Sequence, residues 1–145
     1  MFNGLLLCLG IISINNMDEA QEKLKSARLM ECFLSTIEYA DDACLIDEWK
    51  HPEILLQDKY GDCEDFALFV YDTLQTNGYK VNLHMVKNDE GLHAVCSYEK
   101  GKERGYFSNQ YRVTTNGKLK TTLKDNGWGY VKPINRKKVQ YGKIY

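Results

Sequence analysis

Three residues, in the chain order Cys63, His93, Asn109, have the types needed to attack an amide carbonyl. A cysteine in the first turn of a helix points its sulfur at unpaired backbone N–H groups, where the helix dipole favours negative charge. The thiolate is the nucleophile, and such a position can bring a thiol pKa from about 8.5 to between roughly 3.5 and 7.5. Gly61 permits a sharp entry turn and a close approach by a substrate backbone. A lone cysteine there would more often be a small buried hydrophobe. A lone histidine in the strand-like run Leu92-His93-Ala94-Val95 would more often be a satisfied core residue. Asn109 ends the next strand-like run, and neighbouring antiparallel strands can set it beside His93. Its side-chain oxygen would then accept from one ring nitrogen and leave the other for the thiol.

Asp62, Glu64 and Asp65 surround the nucleophile. Negative charge nearby should raise the thiol pKa. Side chains one and two positions away leave the face of Cys63, which relieves part of this. Asp62 suits a helix cap with Asp65 as its reciprocal partner. The other reading of the same cluster is a calcium site, since calcium takes clustered carboxylate oxygens.

The elements that must position these residues fall in two halves. The stretch 18–47 reads as helical, with apolar residues from Leu24 to Ile37 mostly three and four apart. Pro52 suits the first position of a short helix, PEILLQD. A further helix is expected from Cys63 to about Thr76, with Phe66, Ala67, Val70 and Leu74 on one face and Asn77-Gly78 as its stop. Strands are expected over 80–87, 92–99 and 104–109, with further short ones around 118–122 and 129–132. Helices first and an antiparallel meander after make an α+β fold, with the nucleophile helix packed on the sheet. Cys96 alternates away from His93 and should be core; Cys32 and Cys44 read as structural.

The segments Trp49-Lys50-His51-Pro52-Glu53, Gly61-Asp62-Cys63-Glu64-Asp65-Phe66-Ala67, His93-Ala94-Val95 and Ser108-Asn109 resemble the transglutaminase-like superfamily. They are closest to its bacterial transglutaminase-like cysteine proteinase branch, which shows W-x-x-P-x-E, G-D-C-E-D-x-A, G-H-A-V and a D-N-type third motif in this order. The resemblance spans about residues 45–113 and implies a papain-like core with Cys63 as nucleophile, His93 as base and Asn109 as third member. The family more often has aspartate in the third place, and glycine where Leu92 stands. Gln57, six residues before Cys63, has the spacing of the oxyanion glutamine in papain-like proteases, a residue the transglutaminase-like branch does not need, and the Trp49 indole could donate as a tryptophan does in transglutaminases. Some members of the branch depend on calcium through acidic residues beside the cysteine, which extends that reading to Asp62, Glu64 and Asp65. The implied protein is a thiol hydrolase or acyltransferase, foremost a cysteine peptidase acting on a peptide or protein, and no cofactor is required. Deamidation, transamidation, or peptide binding without cleavage are the alternatives.

The 145 residues suit one domain, with its core over about 45–133. Five cysteines, an odd count without regular spacing, argue against a secreted disulfide scaffold, and none has zinc-ligand spacing. Residues 1–100 hold 8 Lys/Arg against 18 Asp/Glu, a net of −10, and residues 101–145 hold 11 against 2, a net of +9. The basic tail carries no nucleic-acid motif and reads as folding against the acidic half. The apolar run 4–14 is too short to span a bilayer. Residues 1–16 read either as a signal-like segment or as a buried start, with a cytoplasmic protein favoured and export through the apolar N-terminus left open.

Overall fold

The computed structural model describes residues 13–41 and 49–141. Helix α1 (Met17–Lys23) is capped by Asn16, and α2 (Ala27–Leu34) by Ser26, each side chain accepting from a first-turn amide. These two caps divide the helical stretch expected over 18–47. After α2 the chain enters a short strand, β1 (Glu38–Tyr39), instead of continuing the helix. The part of that expectation lying in 42–47 falls outside the described residues, as do Cys8, Cys44 and residues 1–12.

Helix α3 (Pro52–Asp58) starts on Pro52, as its sequence suggests. Strand β2 (Tyr60–Gly61) pairs in parallel with β1 and leads directly into α4 (Cys63–Thr76). Five strands follow: β3 (Lys80–Asn88), β4 (Gly91–Lys100), β5 (Glu103–Ser108), β6 (Tyr111–Thr114) and β7 (Gly129–Ile134). They form one antiparallel sheet in the order β6-β5-β4-β3-β7.

The sheet has two covered faces. On the first, Phe66, Ala67, Val70 and Leu74 of α4 belong to one buried core with Val81, Leu83, Ala94, Cys96 and Phe107. On the second, Val86, Val95 and Tyr106 close over Leu123, with Trp128 and Tyr130 alongside. Leu123 comes from a helix, α5 (Leu119–Asp125), where a strand was expected around 118–122. Leu119 and Leu123 stand four apart, so a helical turn lets both pack on the sheet, which strand alternation would also permit but with less shelter. Strand β6 was not expected; its hairpin turns at Asn109-Gln110, which lacks a glycine signal.

Cys32 is disulfide-bonded, with its partner outside the described residues, whereas Cys63 and Cys96 are free. Cys96 is fully buried on the α4 face, as alternation predicts. Among the described residues no helix is long and apolar enough to cross a membrane.

Candidate active site

Cys63 opens α4 because Asp62 stops the chain in extended conformation and caps the helix. The Asp62 carboxylate accepts from the Glu64 amide at 3.1 Å and the Asp65 amide at 3.3 Å. Asp65 returns the bond, accepting from the Asp62 amide at 3.0 Å. Its other oxygen accepts from the Lys50 amide at 2.8 Å, which ties the Trp49-Lys50 segment to the start of α4. Gly61 is needed here for space. A Cβ would come within 2.7 Å of Leu55 and 2.9 Å of Asp65, so the missing side chain admits this capping box and not a substrate.

The thiol is half-buried, with the backbone N–H of Ala94 on β4 close enough to its sulfur to favour the thiolate. The sequence expectation of a lowered thiol pKa is reversed. Burial pushes the thiol up to about 12, the Ala94 N–H opposes this, and Asp62, Glu64 and Asp65 add to the rise. Desolvation of the charged form outweighs the helix dipole. The Cys63 amide makes no hydrogen bond among the described residues, so it remains a donor for an oxyanion.

His93 lies one residue from that contact. It stands directly opposite Val86 in the β3–β4 ladder, so its side chain shares the second face with Val86. There its ring stacks on Trp128, with centroids 4.6 Å apart and planes 11° from parallel. Its Nε2 meets the Ser108 hydroxyl at 2.9 Å. Burial alone pulls the imidazole down to about 4. Nδ1 makes no hydrogen bond among the described residues. His93 therefore faces the side of the sheet away from α4, while Cys63 packs on the α4 side, so the expectation that one ring nitrogen would face the thiol is not met; strand alternation, which turns Ala94 and not His93 toward α4, is the reason.

Asn109 does not hold the histidine. It occupies the hairpin turn with φ of 52°, a left-handed conformation that asparagine tolerates, and its buried Oδ1 lacks a hydrogen-bond partner. The expected Asn109 bond to His93 is made by Ser108 instead. The reason is strand alternation, which turns Ser108 and not Asn109 toward the His93 face. The signal lay in the third motif itself, because a D-N pattern laid on Ser108-Asn109 sets Ser108 where the aspartate stands. Trp128 had no such signal; the approach of β7 to β3 brings it in.

Gln57 is exposed on α3, and nothing places it at the thiol. Trp49 is half-buried against the main core and bridges to the backbone of Tyr141. The calcium reading does not fit the carboxylates as they stand. Asp65 accepts backbone amides at both oxygens and Asp62 at Oδ1, and among the described residues no group of three His, Cys, Asp or Glu could hold a metal ion. Burial and the neighbouring Asp65 raise the Asp62 carboxyl to about 6.

Solved structures share this arrangement of helix and sheet. The fold is transglutaminase-like, within the papain-like class. LapG of Legionella pneumophila, a transglutaminase-like cysteine protease, superposes with a TM-score of 0.57 at 19% identity, over 92% of this chain and 71% of that one. Its calcium-bound form gives 0.60 at 17% identity, over 98% and 90%. A candidate cysteine protease from Cytophaga hutchinsonii gives 0.57 at 12% identity, over 89% of this chain and 46% of that one. Neither the protein-family models nor the curated proteins give a match to the chain.

Proposed function

We propose that this chain is a cysteine peptidase, with Cys63 as nucleophile and His93 as base. The observation that carries the reading is the junction of α4 with β4. A half-buried thiol in the first helical turn lies near the backbone N–H of Ala94, the chain neighbour of a histidine whose Nδ1 makes no hydrogen bond among the described residues. The transglutaminase-like fold supports it. In the proposed reaction Cys63 Sγ bonds to the amide carbonyl carbon while its proton passes to His93 Nδ1. The carbonyl oxygen gains charge within reach of the Cys63 amide. Collapse breaks the C–N bond, the His93 proton leaves on the amine, and a thioester remains. Water then attacks, His93 takes its proton, and the acid departs as the proton returns to sulfur.

Ser108 orients His93 in this reading. An amine in place of water would give transamidation, and a glutamine side chain as the amide would give deamidation, through the same thioester. The experiment is incubation of the wild-type chain and Cys63→Ala with a peptide library, read by mass spectrometry. New peptide termini made by the wild type alone support the peptidase; a gain of about one mass unit without cleavage assigns deamidation by the same route.

A second reading, a peptide-binding module without turnover, is favoured by the paired shifts at the site. A thiol near 12 beside an imidazole near 4 holds no ion pair at neutral pH. Binding of library peptides with no change in their mass would select it.

A further inference from the structure

On the α4 face, a row of residues crosses the sheet from the thiol. Ala94, whose N–H reaches Cys63 sulfur, is paired with Met85 on β3, and Met85 is paired with Lys132 on β7. Directly paired residues share a face, and strands lie about 4.8 Å apart, so Lys132 stands roughly 10 Å along the sheet from Ala94. A groove of about 510 Å³ takes in the Met85 and Lys132 end of this row, lined also by Trp49, Ile134, Lys138 and Val139, and Met85 is the lining residue paired with Ala94. Its walls are anchored. Arg136 forms a two-pronged pair with Asp72 of α4, both contacts at 2.9 Å, which holds the 3₁₀ turn Arg136–Lys138 in place. The Trp49–Tyr141 bridge holds the other side.

The charge of this groove has one sign. Lys132 and Lys138 line it, no Asp or Glu does, and neither lysine joins an ion pair among the described residues. The acidic residues Asp62, Glu64 and Asp65 sit at the thiol itself, at the opposite end of the row. An extended peptide rises about 3.3 Å per residue, so roughly three residues cover the distance from the thiol to Lys132.

We infer that this groove is the substrate channel of the proposed peptidase, and that it selects an extended peptide carrying Asp or Glu about three residues from the attacked carbonyl. Trp49, Met85 and Ile134 supply the apolar floor and wall, and the two lysines receive the carboxylate. The inference rests on the assignment of Cys63, yet it concerns binding and can be measured without turnover.

The test uses full-length Cys63→Ala and fluorescein-labelled ten-residue peptides of neutral sequence, with Glu or Lys placed three residues to either side of the centre. Fluorescence anisotropy should show one of the Glu peptides binding about fivefold or more tightly than its Lys counterpart, as expected for two partly exposed charge pairs. The preference should fall in high salt and invert in the Lys132→Glu, Lys138→Glu double variant. Thermal melting of that variant checks its folding, and Lys132→Gln with Lys138→Gln provides a milder pair. Equal binding of Glu and Lys peptides, or a preference untouched in both folded variants, overturns the inference. The peptidase reading is judged separately, on labelling of wild-type Cys63 by iodoacetamide. A failed label with an intact acidic preference removes the chemistry and leaves the groove.

Discussion

His84 and His93 occupy matching settings on the same face of the sheet and differ at one ring nitrogen. Each is buried, and burial draws each imidazole down to about 4, with Lys120 adding a smaller push at His84. Each gives Nε2 to a serine, His84 to Ser97 at 2.7 Å and His93 to Ser108 at 2.9 Å. Each lies against an aromatic ring, Tyr130 or Trp128. The difference is the other nitrogen. His84 Nδ1 meets the Tyr130 hydroxyl at 3.1 Å, which completes its bonding. His93 Nδ1 makes no hydrogen bond among the described residues. Burial and a low pKa are therefore shared by both histidines, and what separates them is the second ring nitrogen, bonded in His84 and without a hydrogen bond among the described residues in His93.

Removing the nucleophile should have the largest effect. Cys63→Ala is expected to abolish peptide cleavage, while Cys96→Ala should keep the rate if it folds, because Cys96 is sealed in the core. Equal loss in a folded Cys96→Ala would break the assignment. The two histidines come next. His93→Ala should lower the rate of Cys63 alkylation or turnover by about 10²-fold or more, in the range of a lost general base. His84→Ala should change that rate little and instead cost about 1–3 kcal/mol in denaturant unfolding, since the Ser97 and Tyr130 hydroxyls lose a buried partner. A reversal of these outcomes would assign the chemistry to the wrong histidine.

The serines sharpen the comparison further. An aspartate at position 108 would stabilise a protonated His93, so Ser108→Asp should raise that pKa from about 4 and speed alkylation at neutral pH by about tenfold for each unit gained. The acid limb of the rate profile should move up with it. Ser97→Asp, beside the fully bonded His84, should leave the profile unchanged.

Stability gives a smaller, shared response. A histidine free in the unfolded chain titrates near 6.5, and both buried ones near 4. Between those values the unfolded state binds more protons, so stability is full above about pH 6.5 and falls as pH drops toward 4. Asp62 acts in the opposite sense. Raised to about 6 from an unfolded value near 3.9, it stabilises the acid side and loses that contribution as pH rises through 6. Two histidines against one aspartate predict a net loss on acidification. Replacing His84 with an apolar residue should flatten the melting profile over that window.

The sequence was legible where one local rule sufficed. The capping box at Asp62 and Asp65, the span of α4 and the pairing of β3 with β4 all follow from neighbours a few residues apart. It was less legible where two elements had to meet. The thiol pKa depended on how deeply α4 packs on β4, which no spacing reveals. The partner of His93 depended on whether Ser108 or Asn109 faced it, a choice set by one residue of register. The helix at 119–125 was hidden because Leu119 and Leu123 satisfy both strand and helix alternation. The groove lysines were visible only as excess charge in the tail; β7 and the turn after it gather two of them beside Trp49.

The smallest expected effect concerns calcium. The acidic cluster sits at the same helix start as the nucleophile, and the bound cation of one LapG structure makes the question direct. In this chain Asp62 and Asp65 act as caps. Three of their oxygens, both of Asp65 and Oδ1 of Asp62, accept four backbone hydrogen bonds between 2.8 and 3.3 Å, and a cation at those oxygens would compete with the amides. A ligand that binds only the folded state raises the melting temperature in proportion to the logarithm of its concentration over its dissociation constant. The expected result is that millimolar calcium and chelator give melting temperatures within about 1 °C of each other, because little binding means little linkage. Asp62→Ala should lower the melting temperature in both buffers alike, through the lost cap at about 0.5–2 kcal/mol. A clear rise with calcium that Asp62→Asn or Glu64→Gln removes would show that these carboxylates leave the helix cap for a cation. The contrast between the acidic end and the basic groove would then be one of metal binding against substrate binding.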